Sequence, residues 1–220
     1  MDRFTLSSRL SRIGDEISKL TSTINAMKIA DTAAYGKIYE ELSRDAAFRA
    51  ERIACSLRNV IYDANLVPKP VLMETAAQAH GISICHQEDR VEITLPGLMP
   101  KRNKRMNTTF ITDPLYEILV VYTREQKLPH FTECVVCFSH VFHESLPRRR
   151  VRDYDNLECK QILDTVAAFL MTDDSGLYCD AYHTTEFGDR DCTILTVMEK
   201  SSFPAWLSSH QEREKSISDF

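Results

Sequence analysis

Seven apolar residues near the start, Leu6, Leu10, Ile13, Ile17, Leu20, Ile24 and Met27, alternate steps of four and three. That is the a/d seam of a coiled coil sustained for three heptads, and it commits the first thirty residues to a long amphipathic helix. From about Thr32 to Asn65 the helical signal repeats with Tyr35, Ile38, Leu42, Ala46, Ile53, Leu57 and Val60. Two such helices form a hairpin most simply, or they pair with the same elements of a second chain. Three heptads is short for a dimer zipper, so packing within one chain is the favoured reading.

The segment LVPKPV interrupts the pattern, because each proline disfavours helix for the residue before it. The expected organisation is a helical region over 1–66, a connecting helix and strand over 67–89, a second domain over 90–204 and a polar tail over 205–220. METAAQAH reads as a short helix closed by Gly81. GISICH and DRVEITLPG then read as two strands of a hairpin. Asp113-Pro114 predicts a helix start with Asp113 as N-cap, HFTECVVCFSHVFHE a long buried strand, and LECKQILDTVAAFLM a helix. GLYCDAYHTTE and RDCTILTVMEK predict two further strands, and the tail from Ser208 is expected to fray. From Arg90 to Lys200 the order is strand, helix, strand, helix, strand, strand. A mixed sheet with helices packed on it, an α+β fold, satisfies that order.

No apolar stretch approaches the roughly 20 residues needed to cross a bilayer, and the start MDRFTLSSRLSRIG is too polar for a secretory signal. A cytoplasmic location with no membrane contact is therefore expected. Seven scattered cysteines, an odd number, read as reduced core thiols rather than a disulfide framework.

The net charge of −5 conceals a boundary. Residues 91–152 carry 10 Lys and Arg against 6 Asp and Glu, whereas residues 153–200 carry 3 against 11. The sign changes inside RRRVRDYDN (148–156). Such asymmetry suits a protein that meets polyanion with one surface and cation with another, although solvated acidic loops explain the second half nearly as well.

Cys134, Cys137, His140 and His143 are spaced by threes and invite a zinc assignment. On a strand, however, Cys134 and His140 face one way while Cys137 and His143 face the other. A tetrahedral site needs all four to converge, so the four read as sheet core. No G-x-S-x-G occurs, and no Gly-rich phosphate loop appears among six glycines.

The aspartates offer more chemistry. Asp153 and Asp155 project to one side if their segment is extended, and Asp173 and Asp174 follow the next helix. Converging carboxylates repel unless a cation lies between them, and Mg²⁺ is the usual occupant of an oxygen-rich site that keeps several waters. It can activate a water and stabilise a departing oxygen, while Arg148, Arg149, Arg150 and Arg152 would hold a phosphate backbone. Equally, Asp155 and Glu158 fit a capping-box variant, and Asp173-Asp174-Ser175-Gly176 fits an ordinary turn.

VEITLPGLMPKRN, RRRVRDYDN and TDDS together resemble the RusA-type Holliday-junction resolvases over about residues 90–200. That resemblance implies a homodimeric, Mg²⁺-dependent endonuclease that cuts branched DNA. It makes Asp153, Asp155 and Asp174 the catalytic, metal-binding carboxylates, with Asp173 as an auxiliary or alternative ligand. The step of nineteen residues from Asp155 to Asp174 fits the family. The family's lysine position is Cys159 here, and Lys160, with Asp164 four residues on, stands one place later. Lys101, Arg102, Lys104 and Arg105 would join the arginines in binding DNA. The alternative is a non-catalytic DNA-binding or scaffolding protein that keeps the fold, with the front helices free to bind a protein partner.

Overall fold

The computed structural model describes residues 3–29, 36–63, 67–100, 108–148 and 151–218. The chain divides into two compact units, residues 1–72 and 73–220.

The first unit is a helical hairpin. Helix α1 (Arg3–Ile29) packs on α2 (Gly36–Asp63). Polar pairs fix an antiparallel register: Arg9 meets Asp63, Arg49 Nη1 reaches Glu16 Oε2 at 2.9 Å, and Thr23 Oγ1 donates to Asp45 Oδ2 at 3.2 Å. The heptad seam divides into two rows. Ile13 is buried and Leu6, Leu20 and Met27 are half-buried, whereas Leu10, Ile17 and Ile24 remain exposed. A single neighbouring helix covers one row of a two-row seam, and Ile53 is the α2 residue buried in this contact.

Helix α3 (Lys69–His80) ends at Gly81, whose φ of 73° is the left-handed conformation that favours glycine at a helix C-terminus. Gly81 N donates to Gln78 O and Ile82 N to Ala77 O, which satisfies carbonyls left over by the helix. The chain then enters β1 (Ser83–Gln87) and β2 (Arg90–Pro96), an antiparallel hairpin.

Helix α4 (Thr109–Glu125) begins with Thr108 at its N-cap, five residues before the N-cap expected at Asp113. Pro114 thus lies inside the helix, where it forfeits one backbone hydrogen bond. Ile111, Leu115 and Leu119 recur every four residues and are all buried, and each contributes about 1.5–3 kcal/mol by leaving water. That gain outweighs the local proline cost.

Strand β3 (Cys134–His143), helix α5 (Lys160–Leu170) and strand β4 (Cys179–Gly188) form a parallel crossover, and β5 (Cys192–Glu199) completes the sheet. The order is β1-β2-β5-β3-β4, with every contact except β3/β4 antiparallel. The fold class is α+β. One face of the sheet carries Ile93, Leu95, Val136, Phe138, Leu195 and Val197 against Ala77, Leu115, Leu119, Ile162, Val166 and Leu170. On the other face Val135, Cys137 and Met198 meet Phe203 and Trp206 of α6 (Phe203–Ser218).

Two ends differ from the sequence expectation. The segment before α5 is not helical from Leu157, because Glu158 N donates to Pro100 O at 2.8 Å and holds the chain extended until Cys159, which takes the N-cap position. The tail is helical through Ser218. Phe203 packs edge-on to Tyr182, and Trp206 stacks 4.5 Å from His210, so a ring row anchors what composition marks as polar. No described helix is long and apolar enough to cross a membrane.

Candidate metal centre

The parallel register places Phe138 of β3 directly opposite His183 of β4. His140 lies two residues beyond Phe138 and therefore on the same face. The two imidazoles meet edge to edge: their planes differ by 7°, and His140 Nε2 lies 3.2 Å from His183 Nδ1. Cys159 joins them from the N-cap of α5. One ligand atom from each of His140, Cys159 and His183 lies within 4.8 Å of the other two. Among the described residues this is the one group of three or more His, Cys, Asp or Glu side chains that converges in this way.

Aromatic rings frame the cluster. Phe138, buried in the core, stacks 5.1 Å from His183, and Tyr154, on the solvent side, stacks 5.0 Å from His183 and 5.5 Å from His140. The Tyr154 hydroxyl is tied to Thr185 Oγ1 at 2.9 Å, which fixes its ring over the imidazoles.

Burial drives the electrostatics. It lowers the His140 pKa to about 4, with His183 beside it adding to the effect, and it lowers that of His183 as well. Both rings are therefore neutral at pH 7 and present lone pairs. Burial, assisted by the Glu158 charge, pushes the Cys159 thiol up to about 12. A metal that takes this sulfur as thiolate must expel the proton. His140 Nδ1 is buried without a hydrogen-bond partner, a state that costs about 1–3 kcal/mol.

The donor set fits a soft or borderline divalent ion. Zn²⁺ holds imidazole nitrogen at about 2.0–2.1 Å in a tetrahedron, which puts two such nitrogens about 3.4 Å apart. The 3.2 Å between His140 Nε2 and His183 Nδ1 is close to that edge. Imidazole and thiolate suit Zn²⁺ rather than Mg²⁺, which prefers oxygen. Three protein ligands leave one corner of the tetrahedron for water or another molecule.

The residues expected from the sequence to carry chemistry are arranged differently. Asp153, Asp155 and Asp174 form no common ligand group. Asp153 precedes the 3-10 turn Tyr154–Asn156 and accepts from Asn156 Nδ2 at 3.5 Å, while Asp155 is exposed within that turn. The chain after α5 does turn back on the helix. Lys160 Nζ lies 2.9 Å from Asp164 Oδ1 and 3.8 Å from Asp174 Oδ2, so an ammonium already neighbours Asp174. Asp173 accepts from the Ser175 amide at 2.6 Å, and the Ser175 side chain first, then that amide, lower its pKa. Arg148 sits over the Phe187 ring at 5.3 Å, and Arg152 is exposed. Lys101, Arg102, Lys104, Arg105, Arg149 and Arg150 lie outside the described residues.

Strand parity correctly separates His140 from Cys137 and His143, but it gives no hint of His140's partners. Those come from a helix cap and from the neighbouring strand, 19 and 43 residues further on. The available signal is a histidine on an otherwise apolar strand face, repeated in the next strand of the crossover.

No curated protein matches the chain. Among solved structures it is similar to the cell wall anchor of the T6SS from Pseudomonas aeruginosa, at 13% identity and a TM-score of 0.33 over 60% of this chain and 98% of that one. It is also similar to the periplasmic domain of Helicobacter pylori MotB, at 9% and 0.34 over 63% and 93%. A MotB-like protein from Desulfovibrio vulgaris matches at 12% and 0.31 over 69% and 99%. These findings correct the reading as a branched-DNA endonuclease, or as a non-catalytic DNA-binding relative, with its recombination and repair roles. The similar structures are described as anchor and MotB-type proteins rather than nucleases, and the three aspartates do not converge. The cytoplasmic expectation finds no support among these neighbours, two of which are described as a cell wall anchor and a periplasmic domain. At such low TM-scores the likeness lends this chain neither their activity nor their location. The resolvase resemblance rests on its motif residues alone. The model of a different group, the family of unknown function DUF6100, matches residues 2–220, and the chain belongs to that family.

Proposed function

We propose that residues 73–220 form a binding module for a soft divalent transition-metal ion of the Zn²⁺ type, held by His140, Cys159 and His183. The observation that carries this reading is the convergence of the three ligand atoms within 4.8 Å. Two neutral imidazoles and a cap-position thiol supply the chemistry. The ion would tie the start of α5 to the β3/β4 pair, and its fourth position would lie near the Tyr154 ring. Bound metal would favour the folded chain by mass action.

The test is titration of metal-free protein with Co²⁺ and Zn²⁺. One Co²⁺ per chain is expected, with a thiolate-to-metal absorption band that Zn²⁺ displaces. His140→Ala, Cys159→Ser and His183→Ala should each weaken binding at least about tenfold, the scale on which even outer ligands act. Unchanged Co²⁺ binding in all three variants would exclude the site. Mg²⁺ serves as the contrasting arm: tight Mg²⁺ binding lost in Asp155→Asn or Asp174→Asn, with no Co²⁺ band, would return the metal to the carboxylates.

A further inference from the structure

A second pair of sulfurs lies on the same crossover, apart from the three metal ligands. Cys134 opens β3, Cys179 opens β4, and the parallel register sets them directly opposite each other. Adjacent strands lie about 4.8 Å apart, inside the Cα separation of about 4.4–6.8 Å that a disulfide spans. Both side chains are buried on the helix-covered face of the sheet. All seven cysteines are free thiols in this structure.

The surroundings make the pair unequal. The interaction between the two sulfurs raises the Cys134 pKa and lowers that of Cys179, whose thiol donates to Asp180 O at 3.7 Å. Cys179 also occupies the more accessible position. Strand β4 is the outer strand of the sheet, paired on one side only, and Cys179 is its first residue. The turn before it exposes Leu177, and Tyr178 N and Cys179 N both bond back to Ser175 O. Loosening of this strand end would expose Cys179 while β2 and β5 stay paired, the kind of local opening that edges undergo far more readily than global unfolding.

We infer that Cys134 and Cys179 form a reversible dithiol–disulfide pair, oxidised by low-molecular-weight disulfides of the glutathione type. The Cys179 thiolate attacks one sulfur of the small disulfide, so that its S–S bond breaks, a mixed disulfide forms at Cys179 and one glutathione leaves as thiolate. Cys134 then loses its proton and attacks the Cys179 sulfur, expelling the second glutathione. Two protein thiols are oxidised to one disulfide while one glutathione disulfide is reduced to two thiols.

The experiment incubates the full-length protein with oxidised glutathione at mildly alkaline pH, then unfolds and alkylates it and maps the peptides without reduction. A peptide pair joined through Cys134 and Cys179 is expected, with most alkylation lost at both positions and regained after dithiothreitol. Cys134→Ser should stop at a glutathione adduct on Cys179. If wild type leaves both sulfurs fully alkylatable, or joins either one to a different cysteine, the pair is overturned. An adduct absent from Cys179 in Cys134→Ser protein that retains its circular dichroism overturns the proposed order of attack. The wild-type map stands even if that variant fails to fold.

Discussion

The helical hairpin and the sheet unit bury their apolar residues to different depths. In the hairpin Ile13 and Ile53 retain 8% and 9% of their surface. In the sheet unit Leu115, Leu119, Val136, Val166, Leu195 and Val197 retain none. A two-helix contact offers each residue one neighbour, whereas a strand residue beneath a helix is enclosed by its own sheet as well as by the helix. Periodicity identifies which side of an element is apolar, but the number of layers above it decides how far that side leaves water.

The contrast yields graded expectations. Leu115→Ala should cost about 3–5 kcal/mol, since it empties fully enclosed volume. Urea unfolding followed through the single tryptophan, Trp206, measures this in the unit that contains it. Ile13→Ala should cost less, about 2 kcal/mol, because water and the neighbouring helix can close on a thin contact. Helical circular dichroism during unfolding measures that loss. If it equals the Leu115 loss, the depth argument fails. Ile17→Ala, from the exposed row of the same seam, should stay within about 0.5 kcal/mol. A large loss there would mean that the exposed row is covered in solution.

A further difference between the units is a pH dependence confined to the hairpin. Burial raises the Glu51 pKa from 4.5 to about 7. Between those values the folded state binds more protons than the unfolded one, so stability falls as pH rises and levels off above about 7. Glu51→Gln should flatten that slope and leave the sheet unit's Trp206 transition unchanged. A slope that persists in this variant would assign it to another group.

Much of the fold was legible from local pattern. The heptad run, the two-strand signal around HQED and the alternation after Arg90 correspond to α1, β1/β2 and the β3-α5-β4-β5 series. The misread ends share a cause. Asp113-Pro114 and Asp155 carry the local chemistry of helix starts, but burial of Ile111 and the Glu158-to-Pro100 hydrogen bond set the starts elsewhere. The candidate site was less accessible still. RRRVRDYDN advertises charge at high density, yet its aspartates stay on an exposed turn. His140, Cys159 and His183 carry no spacing signature, because what joins them is the lateral register of two parallel strands and the cap of the helix that connects them.

That sheet order also has a temporal consequence. Strand β5 is the last to be synthesised but lies second to none in centrality, pairing Arg90 with Met198 on one side and Cys134 with Glu199 on the other. Chains emerge from the ribosome N-terminus first, so the hairpin can fold while synthesis continues. The β1/β2 ribbon and the β3/β4 crossover, by contrast, must wait as separate pieces until residues 192–199 arrive to join them. A chain that stops short of β5 would leave both pieces with open edges in the crowded interval after release, the circumstance in which unpaired strands find the wrong partner.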